Sequence, residues 1–207
     1  MSDDVFRILK RLDMESVEVQ TALQCAPLLT GIKMSNLLHV KSEQVEEVSR
    51  AFEGTPISVQ ILYSWNKRVS ILLYRKEALR TYLNQKRVKW LLEKFGYEAQ
   101  TFDEILKQIS ERNQAYVEGK MDYPHEIGLL LGYPPEDVTG YIENTGRNYL
   151  LSGYWKVYGD PLRAERIFHA YDRARDAVIR LLGKGFCVVD ILKFYNIVKR
   201  KQLIAQF

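Results

Sequence analysis

Apolar residues recur at helical spacing over most of this chain. Val5, Ile8, Leu9 and Leu12 fall at i, i+3, i+4 and i+7, predicting a helix over 3–24 with Asp3 and Asp4 in its first turn. The stretch Cys25-Ala26-Pro27-Leu28-Leu29-Thr30-Gly31-Ile32-Lys33 breaks that pattern and predicts a turn, because Pro27 lacks an N–H and Gly31 tolerates positive φ. Ser42 to Phe52 predicts a short helix with Val45, Val48 and Phe52 on one stripe, ended by Gly54. One segment has the period of two that marks strands. Ile57, Val59, Ile61, Tyr63 and Trp65 alternate with Ser58, Gln60, Leu62 and Ser64, and Val69 to Tyr74 answer across Asn66-Lys67, which predicts a β-hairpin. A lone hairpin is marginal in water, so helices or further strands must cover it.

The helical pattern resumes at Lys76 and continues through Val88, Leu91, Leu92 and Phe95 to Gly96. Thr101, followed three residues later by Glu104, is a capping-box pattern that opens a helix over 101–117. Pro124 and Pro135 each suit the first turn of a helix, and two short helices joined at 132–134 follow. A Gly- and aromatic-rich connection over 144–159 carries a candidate strand at Tyr154 to Tyr158. Asp160-Pro161 caps a long helix to Leu182, and a last helix spans 188–203. The fold expected is α+β: a mainly helical single domain, 1–207, with a β-hairpin or small antiparallel sheet covered by helices.

Composition fits a globular chain, with 46% apolar and 27% charged residues. Tyrosine stands out at 13 copies, a residue type suited to pocket walls and interfaces. Charge is uneven. Residues 65–94 hold nine Lys and Arg against Glu77 and Glu93, a balance of +7, and residues 95–148 hold ten acids against four bases, a balance of −6. Either the two halves attract one another within the fold, or the basic segment 67–94 faces an anionic partner.

Two cysteines without a Cys-x-x-Cys spacing give no disulfide framework and no zinc ribbon. The acidic start Met1-Ser2-Asp3-Asp4 is not a signal-peptide pattern, and no apolar run reaches membrane-spanning length. A cytoplasmic protein without membrane contact is the expectation.

Three features carry candidate chemistry. Cys25 is a candidate nucleophile, with His125 as its base, if it sits at a helix start in an electropositive setting; otherwise it is a small core residue. Neighbouring Glu126 complements a helix dipole. Histidines at 39, 125 and 169 lack metal-ligand spacing, so no metal is expected. A helix-turn-helix reading of 124–143 is disfavoured by Glu136, Asp137 and Glu143, which repel phosphate, so nucleic acid is a disfavoured partner. The most unusual string runs from Gly146-Arg147 through Gly153-Tyr154-Trp155-Lys156-Val157-Tyr158-Gly159. It combines glycines, stacking aromatics and cations, which suits either a planar or anionic ligand or a loop packed on its own aromatics. No P-loop or Gly-x-Gly-x-x-Gly fingerprint is present, and the cofactor is left open.

Cys25-Ala26-Pro27 with Gly31-Ile32-Lys33 and Asn36-Leu37, Pro124-His125-Glu126-Ile127-Gly128 with Leu131-Gly132-Tyr133-Pro134 and Asp137-Val138, and Gly153 to Tyr158 together resemble an uncharacterised bacterial family, a domain of unknown function found mainly in Firmicutes. The resemblance implies a stand-alone cytosolic protein and brings no activity, cofactor or catalytic residue. The reading of the residues themselves is a binding or accessory protein for a small molecule or protein partner. Lys33 and Lys156 hold an anionic group, Trp155 stacks, Asn36 orients, and Glu126, Tyr154 and Tyr158 complete the site. The alternatives are a Cys25 enzyme with His125 as base and a nucleic-acid binder using 67–94.

Overall fold

The computed structural model describes residues 2–97 and 101–204. Its centre is an antiparallel sheet of β1 (Ser35–Lys41), β2 (Ser58–Trp65) and β3 (Arg68–Tyr74), in the order β1-β3-β2. The hairpin forms as its pattern predicts. Asn66 and Lys67 both take positive φ, 46° and 62°, which matches the twist of a two-residue turn. The marginal hairpin gains its third strand from β1, which pairs Leu37 with Leu72 and Leu38 with Ile71. β3 is thereby central, and it is buried from Val69 to Tyr74 because both faces of its Ile71-Leu72-Leu73 run meet apolar neighbours.

Helices cover both faces. α2 (Val17–Leu29), α3 (Val45–Phe52), α9 (Pro161–Leu182) and α10 (Val188–Ile204) enclose one core layer with Leu38, Val40, Val69, Ile71 and Leu73. The other layer holds Leu62, Leu72 and Tyr74. It is closed by α4 (Lys76–Leu83), α5 (Lys86–Lys94), α6 (Phe102–Val117), α7 (Ile127–Leu130) and α8 (Pro135–Glu143). A shift of register between Ile61 and Tyr63 lets Leu62 and Tyr63 face this second layer. A third, smaller cluster packs Trp155, Val157, Ala164, Phe168 and Tyr171. It rests on a two-stranded ribbon, β4 (Leu151–Ser152) with β5 (Lys156–Val157). The α+β, mainly helical fold with a small antiparallel sheet stands as read. Among the described residues no helix is long and apolar enough to cross a membrane.

Local signals explain several boundaries. Thr101 and Glu104 form the reciprocal cap of α6, and Asp160 accepts from the Arg163 N–H at the start of α9. Other boundaries differ from expectation. The first predicted helix is two, α1 (Asp3–Leu9) and α2, separated by a turn in which the Asp13 side chain accepts from the Glu15 N–H at 2.9 Å and the Asp13 carbonyl accepts from Ser16. α2 runs through Cys25 and Pro27 to Leu29 instead of turning there. Proline costs one ladder bond near the end of a helix, and the Thr30 N–H resumes the ladder to Ala26 O at 3.0 Å. Pro124 precedes α7 by three residues instead of opening it. The two charge halves do meet: Lys76 pairs with Asp103 at 3.4 Å and Arg87 with Glu136 at 3.2 Å.

Candidate functional site

α8 organises the site through its periodicity. Glu136, Thr139, Gly140 and Glu143 lie on one of its faces, and Asp137, Val138 and Tyr141 on the other. The second face closes a cavity of about 500 Å³. That volume is in the ordinary range for small-molecule sites, about 300–1,000 Å³. Three separate parts of the chain wall it: Leu37 from β1, the stretch 123–141, and Ser152, Gly153, Trp155 and Lys156 from the ribbon. The lining is aromatic. His125 lies between Tyr123 and Tyr141, each 5.3 Å away centroid to centroid, and Tyr133 stacks on Trp155 at 5.1 Å and 27°. Gly128 is part of the wall for steric reasons. A Cβ there would lie 3.0 Å from Val138 and 3.2 Å from Tyr133.

Asp137 holds this wall together. It is 3% exposed, and both of its oxygens are used. Oδ2 accepts from Trp155 Nε1 at 2.7 Å, and Oδ1 accepts from the backbone N–H groups of Tyr158 and Gly159 at 2.7 and 2.8 Å. A buried carboxylate with three donors is a satisfied anion, so it fixes the ribbon without offering free charge to the cavity. The cation on the wall is Lys156, which no carboxylate among the described residues pairs. Its ammonium donates to Gly146 O at 2.6 Å and sits 5.0 Å from the centre of the Tyr149 ring and 5.7 Å from that of Tyr141. Burial lowers the pKa of His125 below its ordinary value, so the neutral imidazole is favoured; Glu126 and Asp122 oppose that shift.

Lys33, Asn36 and Cys25 form a second cluster beside the first. Lys33 Nζ donates to Asn36 Oδ1 at 3.0 Å, and Asn36 donates to Gln24 O at 2.6 Å. The ammonium lies 5.6 Å from the centre of the Tyr133 ring and 5.8 Å from that of Tyr171. Among the described residues no carboxylate pairs with it. Burial accordingly lowers its pKa to about 8, with the Cys25 thiolate form as the opposing influence. Tyr133 is the link, since its ring contacts Lys33 on one side and lines the cavity.

The remaining expected site residues are committed elsewhere. Cys25 is fully buried in the first core layer, donates to Leu37 O at 3.4 Å, and has its pKa pushed up to about 12 by burial. That is the setting of a packed thiol, whereas a nucleophile needs an exposed, electropositive one. His125 lies on the cavity in the other layer and is aimed at aromatic rings, so the geometry gives Cys25 no base. Glu126 is 1% exposed, with Arg112 Nε at 2.6 Å and the Tyr97 hydroxyl donating to it at 2.9 Å, so it braces α6 against α7. Tyr154 donates to Asp172 at 2.9 Å and packs on Phe168 and Tyr171. Tyr158 lies across α8, against Gly140. Trp155 keeps its place on the cavity, but one ring face is taken by Tyr133 and Phe168 meets it edge-on at 4.5 Å. It is therefore a wall more than a free stacking platform.

The structure thus brings His125, Trp155 and Lys156 together, with Lys33 and Asn36 adjacent through Tyr133. It adds Tyr123, Tyr133 and Tyr141, which the tyrosine excess hinted at without locating, and Asp137 as organiser. No curated protein and no solved structure matches the chain. The model of the family described as a protein of unknown function, DUF3793, matches residues 21–192, a span that holds every part of the cavity, and the chain belongs to that family.

Proposed function

We propose that this protein binds a small planar molecule carrying an anionic group in the cavity between α8, the 123–133 segment and the ribbon. The observation that supports this most is the lining itself: tyrosine, histidine and tryptophan rings with the Lys156 ammonium, which no carboxylate among the described residues pairs, while the Asp137 anion is taken up by its three donors. Ring faces suit a flat ligand, and one ammonium with protons left beyond its bond to Gly146 suits a carboxylate or phosphate. Lys33 supports the same sign of ligand from behind Tyr133, since a partly buried ammonium without a carboxylate adds positive potential there.

Thermal-shift measurements test the proposal with mononucleotides, flavins and aromatic carboxylates as probes. A ligand of the native state raises the melting temperature by mass action. The expected result is a shift with at least one class of probe that is lost in Lys156→Ala. No shift with any of them, or shifts unchanged in Lys156→Ala, would contradict the proposal.

A further inference from the structure

The other face of α8 opens on a separate groove of about 530 Å³, shared with α5. Its apolar part is exposed to an unusual degree: Trp90 is 56% exposed and Leu150 62%. Its polar part is mixed. Arg87 is paired with Glu136 at 3.2 Å, Glu143 stands on the same wall, and Asn148 presents a carboxamide from a residue at φ 56°. Tyr158 lines the groove beside Gly140, with its hydroxyl buried against the protein. Just outside the groove, Lys86 and Lys89 are exposed and have no ion-pair partner among the described residues, and Lys94 lies 5.5 Å from the centre of the Trp90 ring.

We propose that the groove between α5 and α8 docks an acidic polypeptide segment of a partner protein. A bulky apolar side chain of that segment lies between Trp90 and Leu150. Its main chain meets the exposed Asn148 carboxamide, which suits polypeptide because each residue carries both a donor and an acceptor. Its Asp or Glu side chains meet Lys86 and Lys89 by charge complementarity. Glu143 inside the groove favours a segment whose acids lie only at the Lys86–Lys89 end over a nucleic acid, whose every nucleotide carries a phosphate. The groove and the cavity lie on different faces of α8, so the inference stands independently of the cavity's ligand.

Selection from a random-peptide phage library against the immobilised full chain tests it. The expected result is enrichment of acidic peptides with a bulky apolar residue, and no enrichment on Trp90→Ala. Both changes lie at exposed positions, so an unchanged melting temperature is the control for Trp90→Ala and Leu150→Ser. By fluorescence anisotropy, an enriched peptide should bind at least about tenfold more weakly to Lys86→Glu/Lys89→Glu, a loss that corresponds to about 1.4 kcal/mol. Three results would overturn the proposal. One is equal enrichment on the wild type and Trp90→Ala, another is selection of basic peptides. The third is Trp90-dependent binding of oligo-dT or of phosphatidylglycerol vesicles in place of peptide.

Discussion

Removing the Asp137 carboxylate should loosen the cavity wall and leave three donors stranded. Hydrogen bonds to a charged group contribute about 1.5–3 kcal/mol each, and Asp137 accepts three of them at 2.7–2.8 Å. Simple addition overstates the loss, because Gly159 is exposed and Tyr158 partly so, and water can reach their N–H groups once the ribbon relaxes. Trp155 Nε1 is the group with no such relief, since Trp155 is 8% exposed and pinned between Tyr133 and Phe168. A cost of about 3–5 kcal/mol is therefore expected for Asp137→Ala, the size seen when one partner of a buried charged contact is deleted. Trp155→Phe removes one donor and should cost about 1–3 kcal/mol. The double variant should cost less than the two together, with a coupling of about 1–3 kcal/mol. Urea unfolding followed by far-UV circular dichroism reads all three. A cost below about 1 kcal/mol for Asp137→Ala, or strict additivity with Trp155→Phe, would refute the role assigned to this carboxylate.

Other predictions address the neighbouring groups. Gly140→Ala should destabilise by about 1–3 kcal/mol, because its Cβ would lie 2.5 Å from the Tyr158 side chain; thermal unfolding reads this. The Lys33 ammonium is held to about 8 against an ordinary 10.5, so between those values the unfolded chain keeps a proton that the folded chain has released. Stability contributed by this group should rise with pH across that window, and the rise should be absent in Lys33→Met under urea titration at several pH values. His125 has a lowered pKa, so its contribution is intact above pH 6.5 and is lost as pH falls toward its folded value; an NMR titration of its ring should give a midpoint under 6.5. Cys25 should resist iodoacetamide at neutral pH until the protein unfolds, and rapid native-state alkylation would contradict its buried placement.

What could be read from sequence was local. The Asn66-Lys67 turn and the Thr101–Glu104 cap each depend on residues a few positions apart, and both form as the sequence implies. β1 has no strand signature in the sequence because Leu37 and Leu38 are adjacent and serve opposite layers, which erases the alternation that marks a half-exposed strand. Proline reads as a break, so the sequence predicts a turn over 25–33, whereas near the end of α2 Pro27 removes only one bond. The 146–159 string carries an aromatic and glycine bias that singles it out, and the structure places Ser152, Gly153, Trp155 and Lys156 of it on one cavity with 123–141. Roles within them depended on distant partners. Glu126 looked available because Arg112 and Tyr97, which occupy it, lie on other elements. Trp155 looked free to stack because nothing near it in sequence shows that Tyr133 already covers it.

The most direct test of the cavity follows the fluorescence of Trp155 alone. The chain has three tryptophans, and Trp65 and Trp90 are both exposed, so replacing these two with phenylalanine leaves one reporter on the cavity wall. Titration with a flavin mononucleotide, adenosine monophosphate and an aromatic carboxylate should give a saturable change in Trp155 emission with at least one of them, and Lys156→Ala should abolish it. No saturable change with any of the three, or one that persists unaltered in Lys156→Ala, would contradict the account.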